Sequence, residues 1–337
     1  MPSAYLDHPK PVAFAHRGGA AHAPENSWRA FEHALGLGYQ YLETDVQATS
    51  DGVLIAFHDR RLHRVTGRPG RIARMTHREV SAALIDGTEP IPRLEDLLMA
   101  WPDVRFNIDL KDAPAVAPLA EVLRRTGAWD RVCVVSFSSS RLRAARRVFD
   151  RQVCMAASPI GNAVVRFGGP RGSLPRAYRE QVRATGYSRG ADASRGTGAS
   201  RGTGDQRGAR DVRRVHDMRG PRTPEAARAL RLGVQHDPSP LGAPTSPQVA
   251  GGTYPALAER LARTGVRCAQ VPAAVATPTF IGRAHALGLD VHAWTVNSPS
   301  AMAALLDIGV DGIMTDETVA LREVLMDRGE WHPRIES

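Results

Sequence analysis

Eight short apolar runs, separated by amphipathic stretches, constrain the fold of this chain more than any other feature of its sequence. Apolar residues in the stretches between them recur with the period of a helix. This alternation is typical of repeated βα units around a parallel sheet, and eight units close a barrel. We therefore predict an α/β fold, a TIM-type (β/α)8 barrel. Its predicted strands are Val12–His16, Tyr39–Val46, Val104–Lys111, Arg131–Phe137, Gln152–Ala157, Cys268–Pro272, Asp290–Val296 and Gly312–Asp316.

Residues 172–252 interrupt this pattern between the fifth and sixth predicted strands. A hexapeptide that begins Ser-Arg-Gly recurs there three times within residues 188–205. A segment of this composition cannot bury enough apolar surface to offset the entropy lost on ordering. We expect a long, low-complexity, disordered insertion with a short helix over residues 224–232. The single barrel itself comprises residues 12–160 and 266–325.

The positive charge of the chain lies mainly in the same insertion. The formal net charge is +9 at pH 7, and residues 171–222 contain thirteen arginines and five acidic residues, which account for +8 of it. The rest of the chain is near neutral, so we expect no specific nucleic acid as a partner. Hydrophobic residues make up 42% of the chain and charged residues 23%, which excludes a fibrous or wholly disordered protein.

Neither membrane insertion nor export is indicated by the sequence. No apolar run approaches about 18 residues, which a membrane-spanning helix requires, and the first ten residues contain no apolar segment of a secretory signal. Cys133, Cys154 and Cys268 lie far apart in the chain, without the spacing of a metal site. We therefore expect a cytoplasmic protein whose cysteines are buried and reduced.

Three polar clusters stand directly after apolar runs in the first sixty residues: His16-Arg17-Gly18, Glu43-Thr44-Asp45 and His58-Asp59. Side chains alternate along a strand, so Glu43 and Asp45 point to one face. Asp109 and Lys111 do the same at the end of the third predicted strand. Barrel enzymes build their active sites at the carboxyl ends of the strands, so we expect three carboxylates and a lysine at one mouth of the barrel.

These residue types predict metal-assisted hydrolysis of a phosphate ester. Neighbouring carboxylates repel one another unless a cation compensates, so we expect one divalent cation at Glu43, Asp45 and Asp109. The all-oxygen ligand set favours Mg²⁺ or Ca²⁺. The imidazoles of His16 and His58 can transfer protons near neutral pH.

The order of the motifs resembles that of the glycerophosphodiester phosphodiesterases of bacterial type. The resemblance covers residues 12–160 and 266–325. The motifs that carry it are His16-Arg17-Gly18, Pro24-Glu25-Asn26-Ser27, Glu43-Thr44-Asp45-Val46, His58-Asp59, Asn107-Ile108-Asp109-Leu110-Lys111, Trp294-Thr295-Val296-Asn297 and Gly309-Val310-Asp311-Gly312-Ile313-Met314-Thr315-Asp316.

The resemblance implies hydrolysis of a small-molecule glycerophosphodiester to sn-glycerol 3-phosphate and an alcohol, with one divalent metal. Many relatives have glutamate where this chain has Asp109, which is shorter by one methylene. Charge and position add Arg17 and Lys111 as phosphate-binding residues and Trp294 as a residue of the substrate pocket. The roles that the resemblance implies are metal ligation for Glu43, Asp45 and Asp109 and acid–base catalysis for His16 and His58.

Two other functions are compatible with the sequence. The same barrel would act on lysophospholipids, as a lysophospholipase D, with the basic insertion making weak peripheral contact with an anionic membrane. Alternatively, the Arg/Gly-rich insertion would be the working part of a polyanion-binding protein.

Overall fold

The computed structural model describes residues 3–158, 161–162, 165 and 254–334. The insertion predicted over residues 172–252, with its short helix at 224–232, lies outside the described residues.

Eight parallel strands close into a barrel, which confirms the predicted fold. The described strands in chain order are β1 (Val12–Ala15), β2 (Tyr41–Ala48), β3 (Leu54–Ala56), β4 (Leu84–Ile85), β5 (Glu89–Pro90), β6 (Arg105–Leu110), β7 (Val132–Val135), β8 (Cys154–Ala156), β9 (Val266–Pro272), β10 (Asp290–Trp294) and β11 (Gly312–Thr315). Around the barrel the order is β1, β2, β6, β7, β8, β9, β10 and β11, and β11 pairs with β1. Each of these eight strands overlaps a predicted strand, and their ends differ by at most two residues.

Helices follow the barrel strands on the outside, as the apolar periodicity predicts. Ser27 and Thr277 cap two of them by accepting hydrogen bonds from backbone N–H groups three residues on. None of the described helices is long and apolar enough to cross a membrane. The described α-helices are α1 (Trp28–Gly36), α2 (His63–Thr66), α3 (His77–Val80), α4 (Leu94–Ala100), α5 (Val116–Thr126), α6 (Ser139–Val148), α7 (Tyr254–Arg263), α8 (Pro278–Ala286), α9 (Pro299–Asp307) and α10 (Thr318–Asp327).

Residues 49–93 form an excursion that the sequence analysis did not resolve. The chain leaves β2, returns antiparallel to it as β3, and then forms α2, α3 and the β4–β5 hairpin. A small apolar core of its own holds this excursion together, with Ile55, Phe57 and Leu62 among its buried members. Its function in the fold is to bring the loop after β3 back to the carboxyl end of β2.

The amino-terminal end of the barrel is closed by a short 3-10 helix over Ala4–Leu6. The side chain of Tyr5 is fully buried and packs edge-on against Tyr41, with ring centroids 5.2 Å apart. The Tyr41 hydroxyl donates a hydrogen bond of 2.6 Å to the backbone carbonyl of Tyr5. Apolar residues from β1, β7, β8, β9 and β11 complete the barrel interior at this level.

Candidate active site

Three buried carboxylates stand on two neighbouring strands at the carboxyl end of the barrel. Glu43 and Asp45 lie on β2 and Asp109 on β6, and Asp45 is the register partner of Asp109. All three side chains are almost fully buried, with 1% to 4% relative exposure. The structure therefore brings together the carboxylates that the alternation of side chains predicts.

Two cations neutralise part of this acidic cluster. Lys111 Nζ lies 2.6 Å from Asp45 Oδ1 and 2.8 Å from Asp109 Oδ2. Arg17 Nε lies 3.0 Å from Asp45 Oδ2. Burial alone would raise the pKa of Asp45, but the charges of Lys111 and Arg17 outweigh it and hold that pKa below its usual range. Glu43 has no such pair of cations: burial and the nearby charge of Asp45 raise its pKa to about 7.

His16 begins the 3-10 turn that follows β1 and is held by a carboxylate. Its Nδ1 lies 2.6 Å from Asp316 Oδ1, while its Nε2 lies 3.9 Å from Glu43 Oε2. Asn297 in turn donates to Asp316 Oδ2 at 2.9 Å. Burial lowers the pKa of His16, but Glu43 and Asp316 overcome this and raise it above the ordinary value. Asp316 and Asn297 lie in two of the sequence motifs, but neither was predicted to have a role in the site.

His58 is held by a second carboxylate on the excursion between β2 and β4. Its Nδ1 lies 2.6 Å from Asp59 Oδ1. Asp59 pairs with Arg64, Arg64 with Glu25, and Glu25 with Arg17 at 3.1 Å. Burial is the main cause that lowers the pKa of His58. A continuous chain of ion pairs thus links the second histidine to the acidic cluster.

The backbone holds the loop of His58 against β2. The amide of Phe57 donates to the carbonyl of Asp45 at 2.8 Å. The side-chain amide of Gln47 donates to the carbonyl of His58 at 2.9 Å and also to that of Asp59. Because Gln47 is nearly fully buried, its hydrogen bonds hold the backbone of the His58 loop in place against β2.

The turn that carries Arg17 needs an unusual backbone. Arg17 has a φ of 52° and Gly18 a φ of 85°, both in the left-handed region. A Cβ on Gly18 would stand 2.7 Å from the Cβ of Ala30, so no larger residue fits there. The turn points the Arg17 amide at Glu43 Oε2, with an N···O distance of 3.1 Å. Strain of this kind is often found at functional sites.

Asn26 is a further positioning residue that the sequence analysis did not assign. It has a φ of 55° and is almost fully buried. Its side-chain amide donates to Asp45 Oδ2 at 3.1 Å, and its side-chain carbonyl accepts from the Thr44 hydroxyl at 2.8 Å. Asn26 thereby fixes one oxygen of the most heavily paired carboxylate in the cluster.

Trp294 ends β10 beside the mouth of the barrel. Its ring meets the ring of Phe137 edge-on, with centroids 5.5 Å apart, and Lys111 Nζ lies 5.7 Å from the centroid of Phe137. An aromatic wall therefore borders the Lys111 side of the acidic cluster, which is compatible with the pocket position predicted for Trp294.

The donor set of the acidic cluster fits a hard divalent cation. Glu43, Asp45 and Asp109 carry three carboxylates against the two permanent cations Arg17 and Lys111, and Asp109 Oδ1 is buried without a hydrogen-bond partner among the described residues. The three carboxylates do not form a set whose ligand atoms all lie within 4.8 Å of one another. The identity of the ligands and of the metal therefore stays a prediction.

Residues 16–158 and 244–320 match the model of the glycerophosphoryl diester phosphodiesterase family. The chain belongs to this family. All eight predicted site residues fall within the matched residues, and the fold and enzyme class predicted from the motifs, that of a glycerophosphodiester phosphodiesterase, are confirmed.

Similarity to individual proteins supports the assignment of this phosphodiesterase to the family. A Mycobacterium tuberculosis protein named "Probable glycerophosphodiester phosphodiesterase 2" is 35% identical over 329 residues, which are 97% of this chain and 95% of that protein. Among solved structures, an Oleispira antarctica phosphodiesterase in complex with the product sn-glycerol-3-phosphate has a TM-score of 0.61 at 18% identity, covering 96% of this chain and 100% of that one. A glycerophosphodiester phosphodiesterase from Agrobacterium tumefaciens has a TM-score of 0.56 at 17% identity, with 92% and 98% covered. At these identities the two structures show the fold.

Proposed function

We propose that this phosphodiesterase hydrolyses small glycerophosphodiesters to sn-glycerol 3-phosphate and an alcohol, with His16 and His58 as its acid–base pair. The observation that carries the proposal is the matched environment of the two rings. Each Nδ1 is held by a carboxylate at 2.6 Å, by Asp316 in one case and by Asp59 in the other. Nε2 is then the nitrogen of each ring that remains for proton transfer.

In the proposed reaction one histidine accepts the proton of the neighbouring glycerol hydroxyl as its oxygen forms a bond to phosphorus. The bond from phosphorus to the alcohol oxygen breaks, and the other histidine donates a proton to that oxygen, which leaves a cyclic phosphate. Water then attacks phosphorus and gives up a proton to the second histidine, while the first returns its proton to the glycerol oxygen as the ring bond breaks, which yields sn-glycerol 3-phosphate. Arg17 and Lys111 bind the non-bridging phosphoryl oxygens, whose negative charge grows in the transition state. Both cations already lie at the acidic cluster, so they are in place before the substrate arrives.

We further propose that Glu43, Asp45 and Asp109 hold one Mg²⁺ or Ca²⁺. When bound, such an ion supplies positive charge that stabilises the phosphoryl oxygens. The excess of carboxylates over cations and the unpartnered Asp109 Oδ1 support this proposal. Burial and the charge of Asp45 raise the pKa of Glu43, and a bound divalent cation would favour the ionised form of this carboxylate.

A metal-replacement assay on a substrate panel tests the proposed function. Full-length enzyme would be stripped with EDTA and supplied with Mg²⁺, Ca²⁺ or no metal, with glycerophosphocholine, glycerophosphoethanolamine, glycerophosphoglycerol and lysophosphatidylcholine as substrates. We expect release of sn-glycerol 3-phosphate from the water-soluble diesters only when a metal is added. Release of lysophosphatidic acid alone would instead favour the lysophospholipase D alternative. A rat protein named lysophospholipase D is 33% identical over 110 residues, which are 29% of this chain and 35% of that protein.

Asp109→Ala serves as the ligand variant in this assay. If Asp109 binds the metal, the variant requires a higher metal concentration for half-maximal activity than the unmodified enzyme. Trp294→Phe is the matched control, because it changes the aromatic wall but no carboxylate. An unchanged metal titration in Asp109→Ala would remove Asp109 from the ligand set.

The polyanion-binding alternative has its own test, deletion of residues 172–252. Hydrolysis that survives the deletion, with loss of heparin binding, would make the insertion an accessory of an enzyme. If the full-length protein shows no hydrolysis with either metal, the enzymatic proposal fails.

A further inference from the structure

The barrel gathers three cysteines at the end of its interior opposite the active site. Cys133 lies on β7, Cys154 on β8 and Cys268 on β9, three consecutive strands of the barrel. All three are buried and none forms a disulfide, as the sequence analysis expected. Their spacing in the chain gave no sign of a cluster, because the residues are brought together only by the register of the strands.

The sulfur atoms lie at the spacing of thiolates around one metal ion. All three Sγ atoms lie within 4.8 Å of one another, and those of Cys133 and Cys268 are 3.9 Å apart. Zn–S bonds of about 2.3 Å in a tetrahedral site place neighbouring sulfurs roughly 3.8 Å apart. Among the described residues this is the one set of three His, Cys, Asp or Glu side chains with ligand atoms so close together.

Two buried polar side chains next to the cysteines have no partner. Both ring nitrogens of His292 and the hydroxyl of Tyr5 are without a hydrogen bond among the described residues, although both side chains are fully buried. Tyr5 packs in the same buried cluster as the three cysteines, and the ring of His292 lies 4.8 Å from the ring of Phe14, another member of that cluster. Buried polar groups are normally paired, so such atoms indicate a missing partner.

The backbone beside His292 makes room for its ring. Gly312 is the register partner of His292 on β11. A Cβ at Gly312 would lie 3.1 Å from His292 Cδ2 and 2.8 Å from the carbonyl oxygen of Val12. The absence of a side chain at this position therefore leaves room for the imidazole, which lies two residues along β10 from Asp290, the register partner of Cys268.

We propose that Cys133, Cys154 and Cys268 form a site for a structural zinc ion near the unpartnered imidazole of His292. The three thiolates define the site, since His292 does not join them in a set whose ligand atoms all lie within 4.8 Å of one another. Thiolates suit Zn²⁺ far better than they suit Mg²⁺ or Ca²⁺. The site is separate from the acidic cluster, whose ligands are all carboxylates.

The position of the cluster suggests what the ion does for the fold. β8 is only three residues long, and its pairing with β9 is irregular between Met155 and Ala156. These two strands are separated in the chain by residues 157–265, the longest connection in the barrel. An ion bound by Cys154 and Cys268 links the strands directly across this connection, where loop closure costs the most entropy.

Cobalt substitution tests the site, because Co²⁺ bound to thiolates has an intense sulfur-to-metal charge-transfer absorption in the near ultraviolet. The ion would be supplied during expression, since Tyr5 closes this end of the barrel. We expect about one Zn²⁺ per full-length chain by elemental analysis, and in cobalt-grown protein the charge-transfer band of tetrahedral thiolate coordination. Removal of the ion under denaturing conditions and refolding without metal should lower the thermal midpoint.

Two variants separate this site from the active site. Cys154→Ala should reduce bound zinc at least 10-fold and abolish the cobalt band, while Asp45→Asn should leave the band unchanged. Conversely, bound metal that is lost in Asp45→Asn but retained in Cys154→Ala, without a thiolate charge-transfer band, would place the ion at the mouth and overturn the proposal. Cys154→Val provides a second variant of larger volume if the alanine variant fails to fold.

Thiol counting gives an independent readout, because the chain has only three cysteines. In the native zinc-bound protein all three should resist alkylation and become reactive on denaturation with EDTA. Detection of a disulfide, or three reduced thiols in a protein that contains no zinc or cobalt, would overturn the proposal.

Discussion

The two ends of the barrel interior both bury polar side chains, but they differ in how those side chains are paired. At the mouth, Asp45, Lys111 and His16 each contact an oppositely charged or hydrogen-bonding partner within 3 Å, and Asp109 Oδ1 is the one carboxylate oxygen of the acidic cluster that is buried without a hydrogen-bond partner among the described residues. At the opposite end, His292 and the hydroxyl of Tyr5 are buried without one. Paired charges hold their geometry in advance of a substrate, whereas unpaired groups indicate a ligand still to be bound.

The largest effect is expected at the mouth. His16→Ala and His58→Ala should each lower kcat by about 10² to 10⁴, because each removes a proton-transfer group. The rate at which sn-glycerol 3-phosphate is released at saturating substrate measures kcat. His63→Ala is the matched control, because His63 is exposed on α2 and has no part in the proposed site, and we expect its kcat to stay within about 3-fold, an effect below 1 kcal/mol. Equal losses in all three variants would show that the variants act through folding.

A smaller effect is expected from the carboxylates that hold the histidines. Asp316→Asn and Asp59→Asn keep the shape of the side chain but remove its charge, and we expect losses of about 10- to 100-fold in kcat, as for other groups that orient a functional histidine. A positioning role also predicts a changed pH profile of kcat, since the removed charge stabilises the protonated ring. A variant with full activity and an unchanged profile would exclude the positioning role for that residue.

At the amino-terminal end of the barrel, Asp311 is a paired carboxylate whose contribution to stability depends on pH. Asp311 accepts hydrogen bonds from Lys10 at 2.8 Å and from the amide of Val291 at 2.8 Å, and it contacts His285. Burial raises the pKa of Asp311, but these partners outweigh it and lower that pKa below the ordinary value. The ionised form is therefore favoured by folding, and its stabilisation is present above the unfolded pKa of about 3.9 and lost as the pH falls through the folded pKa.

Asp311→Asn should accordingly lower the free energy of unfolding by about 2 kcal/mol at pH 7. Urea unfolding at several pH values measures the difference between the variant and the unmodified protein. That difference should shrink below pH 4, where Asp311 becomes protonated. A difference that stays constant down to pH 3 would show that the ionisation of Asp311 contributes no stability.

The contrast between the two ends also explains what could be predicted from the sequence. The barrel strands and the polar residues at their carboxyl ends were predictable, because Glu43, Asp45 and Asp109 follow directly from apolar runs with a period of two. The partners of the histidines were not assigned, because contact between His16 and Asp316 depends on the closure of β11 onto β1. The cysteines were seen only as separate core residues, since strand register, which sequence spacing does not reveal, brings them together.

The smallest effect is expected from two buried tyrosines, Tyr5 and Tyr41, whose rings are in contact. In zinc-free protein, Tyr41→Phe should lower the free energy of unfolding by about 1 kcal/mol, because its hydroxyl donates to the Tyr5 carbonyl at 2.6 Å. Tyr5→Phe should leave stability unchanged or raise it by about 1 kcal/mol, since it removes a buried hydroxyl that has no partner. Urea unfolding of both variants provides the comparison. If Tyr5→Phe costs as much as Tyr41→Phe, the Tyr5 hydroxyl is hydrogen-bonded in solution, and the contrast between a paired mouth and an unpaired interior fails at this residue.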